Sequence, residues 1–205
     1  MSKANRLYPL LVEHSIVSGG EPKRRGNYNM FVAEQKKREN IAEYLLYMWQ
    51  LEDILRAYEL DIDKVQAALI DATHHSDEKK LEARQWYMNL IEQMQAEGVE
   101  KEGHLSINKE LLNELHIFHS ELLKNPKQTE YVAVYYKALP HIEELRRKAI
   151  DKGMSDIEIC FTALYGYLLL KLQKREISSD TASAISQISQ LLRSLSKKYH
   201  SLSNK

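Results

Sequence analysis

The sequence ELHIFHSE contains two histidines whose spacing could place two metal ligands on one side of a helix. They are His116 and His119, and Glu114 and Glu121 lie close to them in the chain. Imidazole and carboxylate groups bind Zn²⁺ and other transition metals. A di-iron bundle, however, uses the spacing Glu-x-x-His, and none of the eight histidines has a glutamate three residues before it. We therefore expect partly exposed helical histidines without a metal or cofactor, and His116 and His119 are the only candidate ligands.

Two other histidines have a glutamate three residues after them, which is a spacing that could support acid–base catalysis. The pairs are His75 with Glu78 and His141 with Glu144. Both pairs are expected at helix starts or kinks on a polar surface, where capping and local ion pairing account for them. Phosphate-binding glycine loops, a G-x-S-x-G elbow, H-E-x-x-H and paired C-x-x-C motifs are absent from the sequence. The sequence therefore favours a protein that is not an enzyme, and it identifies no catalytic residue.

Tyrosine is abundant, with twelve tyrosines against three phenylalanines. Their amphipathic rings can fill a helical bundle while the hydroxyls reach solvent or polar side chains such as Gln50. Alternatively, they line a small-molecule pocket or a protein interface between helices. The tyrosines on helices that are expected to pack are Tyr44, Tyr47, Tyr131, Tyr135, Tyr136, Tyr165 and Tyr167.

The composition limits the class of protein. Lysine plus arginine and aspartate plus glutamate both number 29, so zero net charge provides no general attraction to nucleic acid or to an anionic membrane. No segment has about 20 uninterrupted apolar residues, so no transmembrane helix is expected. The single cysteine, Cys160, excludes an intramolecular disulfide, and its apolar neighbours indicate a core residue. We expect a cytoplasmic protein that binds another protein or a second copy of itself, and neither nucleic acid nor membrane.

Apolar residues at steps of three and four predict an all-α, single-domain bundle of about seven helices. The longest segment whose apolar residues keep a helical period covers residues 41–58, where Glu52 precedes Arg56 by the four residues that favour a helical ion pair. Pro140 is expected to bend or split the helix in which it lies. The predicted helices begin near Ile41, Asp61, Asp77, Asn108, Lys127, Ser155 and Ser178.

Residues 157–172 form the most apolar predicted helix, and a capping box of Ser155 and Glu158 begins it. We expect this helix to be buried beside the helix of residues 41–58. Gly166 is the only glycine inside a predicted helix, where it costs about 1 kcal/mol relative to alanine. The expected reason for this glycine is close packing against a neighbour. Gly166→Leu is therefore expected to overpack the core and to destabilise the protein by roughly 2 kcal/mol or more.

The first 29 residues show no sustained periodicity and hold two of the four prolines and three of the seven glycines. They are predicted to be a flexible N-terminal extension or a non-native tail. The basic run from Lys23 to Arg25 would suit an arm that contacts nucleic acid, but the neutral overall charge weighs against this function. The predicted helical domain consists of residues 30–202.

The segment FVAEQKKRENIAEYLLYMWQLEDILRAY, residues 31–58, resembles the opening of an uncharacterised helical family of Bacteroidetes-type bacteria, which is known only as a domain of unknown function. The resemblance spans residues 30 to about 202 and implies an all-helical fold, but no activity and no site residues. The predicted function is a helical interaction or adaptor module. The alternative is a small-molecule-binding protein or enzyme with a tyrosine-lined pocket between helices.

Overall fold

The computed structural model describes residues 29–203, and within this range it contains eight α-helices, one π-helical turn and no strand. This confirms the predicted all-α, single-domain bundle. Residues 1–28 of the predicted tail lie outside the described residues. The elements are α1 Met30–Glu39, α2 Ile41–Ala57, α3 Ile62–Val65, a π-helical turn Gln66–Ile70, α4 Asp77–Ala96, α5 Ser106–Lys124, α6 Thr129–Lys148, α7 Asp156–Leu172 and α8 Ser179–Ser203.

The additional helix is α1, because the charged run before residue 41 forms a helix of its own. Asn40 separates α1 from α2, and its side-chain oxygen accepts hydrogen bonds from the backbone N–H groups of Ala42 and Glu43, both at 3.2 Å. A side chain that binds the backbone in this way caps a new helix instead of continuing the previous one.

Asn29, the last residue of the predicted tail, forms hydrogen bonds with residues of α1 and α2. Its side-chain oxygen accepts a hydrogen bond from the backbone N–H of Val32 at 3.0 Å, which caps α1. Its carbonyl accepts a hydrogen bond from the Tyr47 hydroxyl at 3.0 Å, and only 3% of the residue is exposed.

Three predicted helix starts are confirmed by side chains that bind the following backbone. The Asp61 carboxylate accepts from the N–H groups of residues 63 and 64, and the hydroxyls of Ser76 and Ser155 each accept from the third residue after them. Pro140 lies inside α6 without splitting it, since α6 is continuous from Thr129 to Lys148. None of the helices in the described range is long and apolar enough to cross a lipid bilayer.

Two compact units can be separated within the chain. Among the described residues, the first unit contains 29–37 and 47–109, and the second contains 38–46 and 110–203. Both have apolar interiors, as a helical bundle requires. The fully buried apolar side chains of the first unit are Leu51, Ile54, Leu55, Val65, Tyr87, Met94 and Leu105. Those of the second unit are Leu45, Leu115, Tyr131, Ala138, Ile142, Ile157, Cys160, Phe161, Ile188 and Leu191.

Glu52 is buried in the first unit, with 1% of its surface exposed. Its carboxylate accepts hydrogen bonds from the backbone N–H of Leu105 at 3.0 Å and from the side-chain amide of Asn108 at 2.7 Å. It also lies 2.5 Å from Nδ1 of His104, whose ring stacks on Trp49 with ring centroids 4.1 Å apart. The carboxylate therefore caps α5 from another helix, and α5 begins at Ser106 rather than at the predicted Asn108.

Arg56 has partners other than Glu52, so the predicted pair between these two residues is wrong. Arg56 forms an ion pair with Asp53 at 2.7 Å and donates hydrogen bonds to the carbonyls of Val99, at 3.0 and 3.2 Å, and Gly103. The four-residue spacing does place Glu52 and Arg56 on one face of α2. Both side chains bind the connection between α4 and α5. Arg56 binds carbonyls of this connection and Glu52 binds His104 and Leu105.

Candidate functional site

An apolar groove in the second unit is the candidate ligand site, and we call it the α7 groove. Its volume is about 370 Å³, which falls within the range of small-molecule sites. The end of α6, the connection after it, one face of α7 and the beginning of α8 form its walls. The lining residues are Leu145, Lys148, Ala149, Met154, Ile159, Thr162, Ala163, Gly166, Tyr167, Leu170, Thr181 and Ile185.

The α7 residues that line the groove form a stripe along one face of the helix, because they recur at steps of three and four residues. Small residues, Ala163 and Gly166, lie in the middle of this stripe. A Cβ atom added at Gly166 would meet none of the described atoms within 4 Å. The expectation that a neighbour packs against Gly166 is therefore wrong. The missing side chain instead leaves space in the groove.

The two halves of α7 differ in burial. Ile157, Cys160 and Phe161 in the first half have no exposed surface. In the described stretch from 163 to 170, by contrast, every residue is partly exposed, although the sequence ALYGYLLL is almost entirely apolar. The prediction of a helix buried along its whole length is therefore wrong for residues 163–170, although Leu172 at the end of α7 is buried. Residues 163–170 present apolar surface to the groove and to solvent.

Lys148 is the only charged residue among the described residues that line the α7 groove. Its ammonium group pairs with the Glu144 carboxylate at 2.6 Å, and the two side chains are 71% and 54% exposed. The hydrogen bond from Lys148 lowers the pKa of Glu144 below its ordinary value. The Lys152 ammonium donates to the carbonyls of Arg146 and Arg147 at the end of α6, at 3.2 and 2.6 Å. Two ammonium groups, those of Lys148 and Lys152, therefore lie at the end of α6.

The groove is mainly aliphatic. Of the seven tyrosines predicted on packed helices, which all lie in the described range, Tyr167 alone lines it. The Lys171 ammonium lies 4.9 Å from the centre of the Tyr167 ring, within the distance of a cation–π contact. Tyr47 and Tyr131 are buried, as expected for rings that fill a bundle, whereas Tyr136 is 63% exposed.

Arg146 and Asp156 hold the connection that closes one end of the groove. Arg146 pairs with one oxygen of the Asp156 carboxylate and donates a hydrogen bond to the carbonyl of Met154, a lining residue. Tyr135 donates to the other carboxylate oxygen at 2.7 Å, and burial, followed by this hydrogen bond, raises the pKa of Tyr135. Asp156 lies ten residues after Arg146 in the chain, so local charge patterning does not reveal the pair.

His119 is buried rather than partly exposed, with 2% of its surface accessible. Its Nδ1 lies 2.6 Å from the Tyr131 hydroxyl, and its ring contacts Tyr135 edge to face. Burial lowers the pKa of His119 from 6.5 to about 4, although the charge of Asp156 acts in the opposite direction. His116 is partly exposed, as expected.

The other candidate residues are the two histidine–glutamate pairs and Cys160. The described side chains include no group of three or more His, Cys, Asp or Glu arranged to hold a metal ion. The ring of His75 packs against Phe31, and Glu144 pairs with Lys148. Cys160 is buried, and this burial raises the pKa of its thiol, which disfavours the reactive thiolate.

Comparison with known proteins identifies the family of the chain. No curated protein and no solved structure matches it. A protein-family profile does match residues 30–205, a range that includes every helix from α1 to α8. The chain therefore belongs to the family described as Domain of unknown function (DUF4924).

Proposed function

We propose that the protein binds a small apolar molecule in the α7 groove. The observation that carries the proposal is the open space at Gly166, in the middle of an apolar concave surface of about 370 Å³. Small-molecule sites are typically concave and mostly apolar, with few polar groups. A ligand that covers the groove would remove its apolar surface from water, which is favourable by about 25 cal/mol per Å².

The cost of Gly166 to helix stability also supports a ligand at this position. Glycine inside a helix costs about 1 kcal/mol relative to alanine, and the space at Gly166 would accept a larger side chain. The destabilising glycine is explained if a bound molecule occupies the space that a larger side chain at position 166 would fill.

The test uses 1-decanol as a neutral apolar probe and the full chain with isotope-labelled methyl groups. The proposal predicts saturable shifts of the methyl signals of Ile159, Ala163 and Ile185, whereas Ile54 in the first unit stays unchanged. Gly166→Leu should abolish the shifts because the new side chain fills the groove. Ala133→Leu, at an exposed position of α6 that does not line the groove, is the matched control. Equal binding by Gly166→Leu would refute the proposal.

A second candidate function is the binding of another protein through the outer side of α7. Leu164, Leu168 and Leu169 do not line the groove, yet each is partly exposed. Exposed apolar helix faces are typical of interaction modules. A photo-crosslinking amino acid at position 168 in the native host should capture one discrete partner, and the same group at position 133 should not. Equal capture at both positions would contradict this function.

The proposal includes a cytoplasmic location. A single buried cysteine fits a reducing compartment. A fusion of the full chain to a reporter that is active only in the cytoplasm tests the location, and an inactive reporter would contradict it.

A further inference from the structure

We infer that the ligand of the α7 groove is an aliphatic monocarboxylate, and that Lys148 binds its carboxylate. The inference rests on the proposed function and adds the chemical class of the ligand. Eleven of the twelve described lining residues are uncharged, and Lys148 carries the remaining charge.

Lys148 gives the end of the groove at α6 one cationic group that can bind an anion. The end of a helix presents unpaired carbonyls that repel a carboxylate. At the end of α6, however, the Lys152 ammonium already binds two of these carbonyls. Of the nearby acids, Glu143 and Asp156 are paired with Arg146, and Asp151 accepts a hydrogen bond from the backbone N–H of Gly153. Glu144 remains as the one acid bound to Lys148.

Lys148 already binds a carboxylate, which is that of Glu144. Its carboxylate lies 2.6 Å from the Lys148 ammonium, in a pair whose side chains are both more than half exposed. Exposed ion pairs of this kind contribute little to stability. A ligand carboxylate can therefore replace that of Glu144 at small cost. Glu144 then acts as an internal competitor of the ligand.

The rest of the groove suits an unbranched apolar chain. From Ile159 to Leu170 the stripe on α7 advances about 16 Å at the helical rise per residue, which accommodates the extended chain of decanoate. Ala163 and Gly166 leave the middle of this path open. The carboxylate would lie beside Lys148 and the chain would follow α7 toward Leu170.

The experiment compares decanoate with 1-decanol, by calorimetric titration of the full chain at neutral pH. The inference predicts that decanoate binds more tightly than decanol to the natural protein. Lys148→Gln should weaken decanoate binding about fivefold, the effect of an interaction of about 1 kcal/mol. Glu144→Gln should strengthen decanoate binding because the competing carboxylate is gone. Decanol binding should stay the same in both variants.

Lys137→Gln is the matched control, since Lys137 is exposed on α6 and does not line the groove. It should bind both probes like the natural protein. If decanol binds as tightly as decanoate, or if Lys148→Gln retains full decanoate affinity, the ligand class is wrong while the proposed function stands. If neither probe binds, both are wrong. A concentration-dependent dimer that Ala163→Arg dissociates would place a second copy in the groove and overturn the inference.

Discussion

Nδ1 of His119 lies 2.6 Å from the hydroxyl oxygen of Tyr131, and 2% or less of each residue is exposed. A buried imidazole with such a partner stays neutral, because the charged form would lose its hydration. The pair joins α5 to α6 inside the second unit. It therefore contributes to the stability of this unit.

The first prediction concerns the stability of the folded state in acid. The pKa of His119 is lowered from 6.5 to about 4 on folding, so the unfolded chain binds a proton that the folded chain rejects. The free energy of unfolding should consequently fall as the pH drops below 6.5, by about 2 kcal/mol between pH 7 and pH 5 from this residue. Urea unfolding at the two pH values measures the loss.

The variant His119→Gln isolates this contribution from that of the carboxylates. It should be less stable than the natural protein at pH 7 but lose about 2 kcal/mol less between pH 7 and pH 5. His74→Gln, at an exposed position, keeps His119 and should keep the natural pH dependence. An identical loss in His119→Gln would show that His119 does not carry the effect.

The second prediction concerns Glu52. Its removal leaves the buried N–H of Leu105 and the amide of Asn108 without their acceptor. We expect Glu52→Ala to lower the free energy of unfolding by about 3 kcal/mol, as the loss of a buried charged partner does. Glu92→Ala, at an exposed position of α4, should change it by less than about 0.5 kcal/mol. Similar values for the two variants would mean that the Glu52 bonds contribute nothing.

The third prediction concerns the boundary of the folded domain. Asn29→Ala should lower the free energy of unfolding by about 1 kcal/mol, because the cap of α1 is lost. Asn29→Asp keeps a side-chain oxygen at this position and should restore most of that energy. Chemical denaturation of the two variants distinguishes them. If Asn29→Ala is as stable as the natural protein, Asn29 belongs with the tail.

The fold class and most helix starts could be predicted because their signals are local. Asp61, Ser76 and Ser155 each bind a backbone group two or three residues later, so a few residues of sequence contain the whole interaction. Asn40 carries the same signal. It was missed because charged and apolar helix formers continue on both sides of it.

The site could not be predicted, because its properties depend on distant neighbours. The groove brings together Leu145 on α6 and Ile185 on α8, which is 40 positions later in the chain. Periodicity identifies the apolar side of a helix, but it does not identify the element that covers this side. It also does not predict what length of the helix is covered. The pattern of α7 thus predicts burial of residues 163–170, which are partly exposed in the structure. For the same reason, the lone helical glycine at 166 indicated close packing where the structure has a groove.

The fourth prediction concerns the space at Gly166. Gly166→Ala should raise the free energy of unfolding by about 1 kcal/mol, since the added methyl group meets no described atom within 4 Å and the helix becomes easier to form. Chemical denaturation measures the change. A loss of stability would mean that the space is closed in solution.

The central claim is that the space at Gly166 is a ligand site, and the most direct test measures stability and decanol affinity together on Gly166→Leu. We predict a higher urea midpoint with an unchanged slope, which reports greater stability, together with the loss of decanol binding. A lower midpoint, or decanol binding equal to that of the natural protein, would contradict the account.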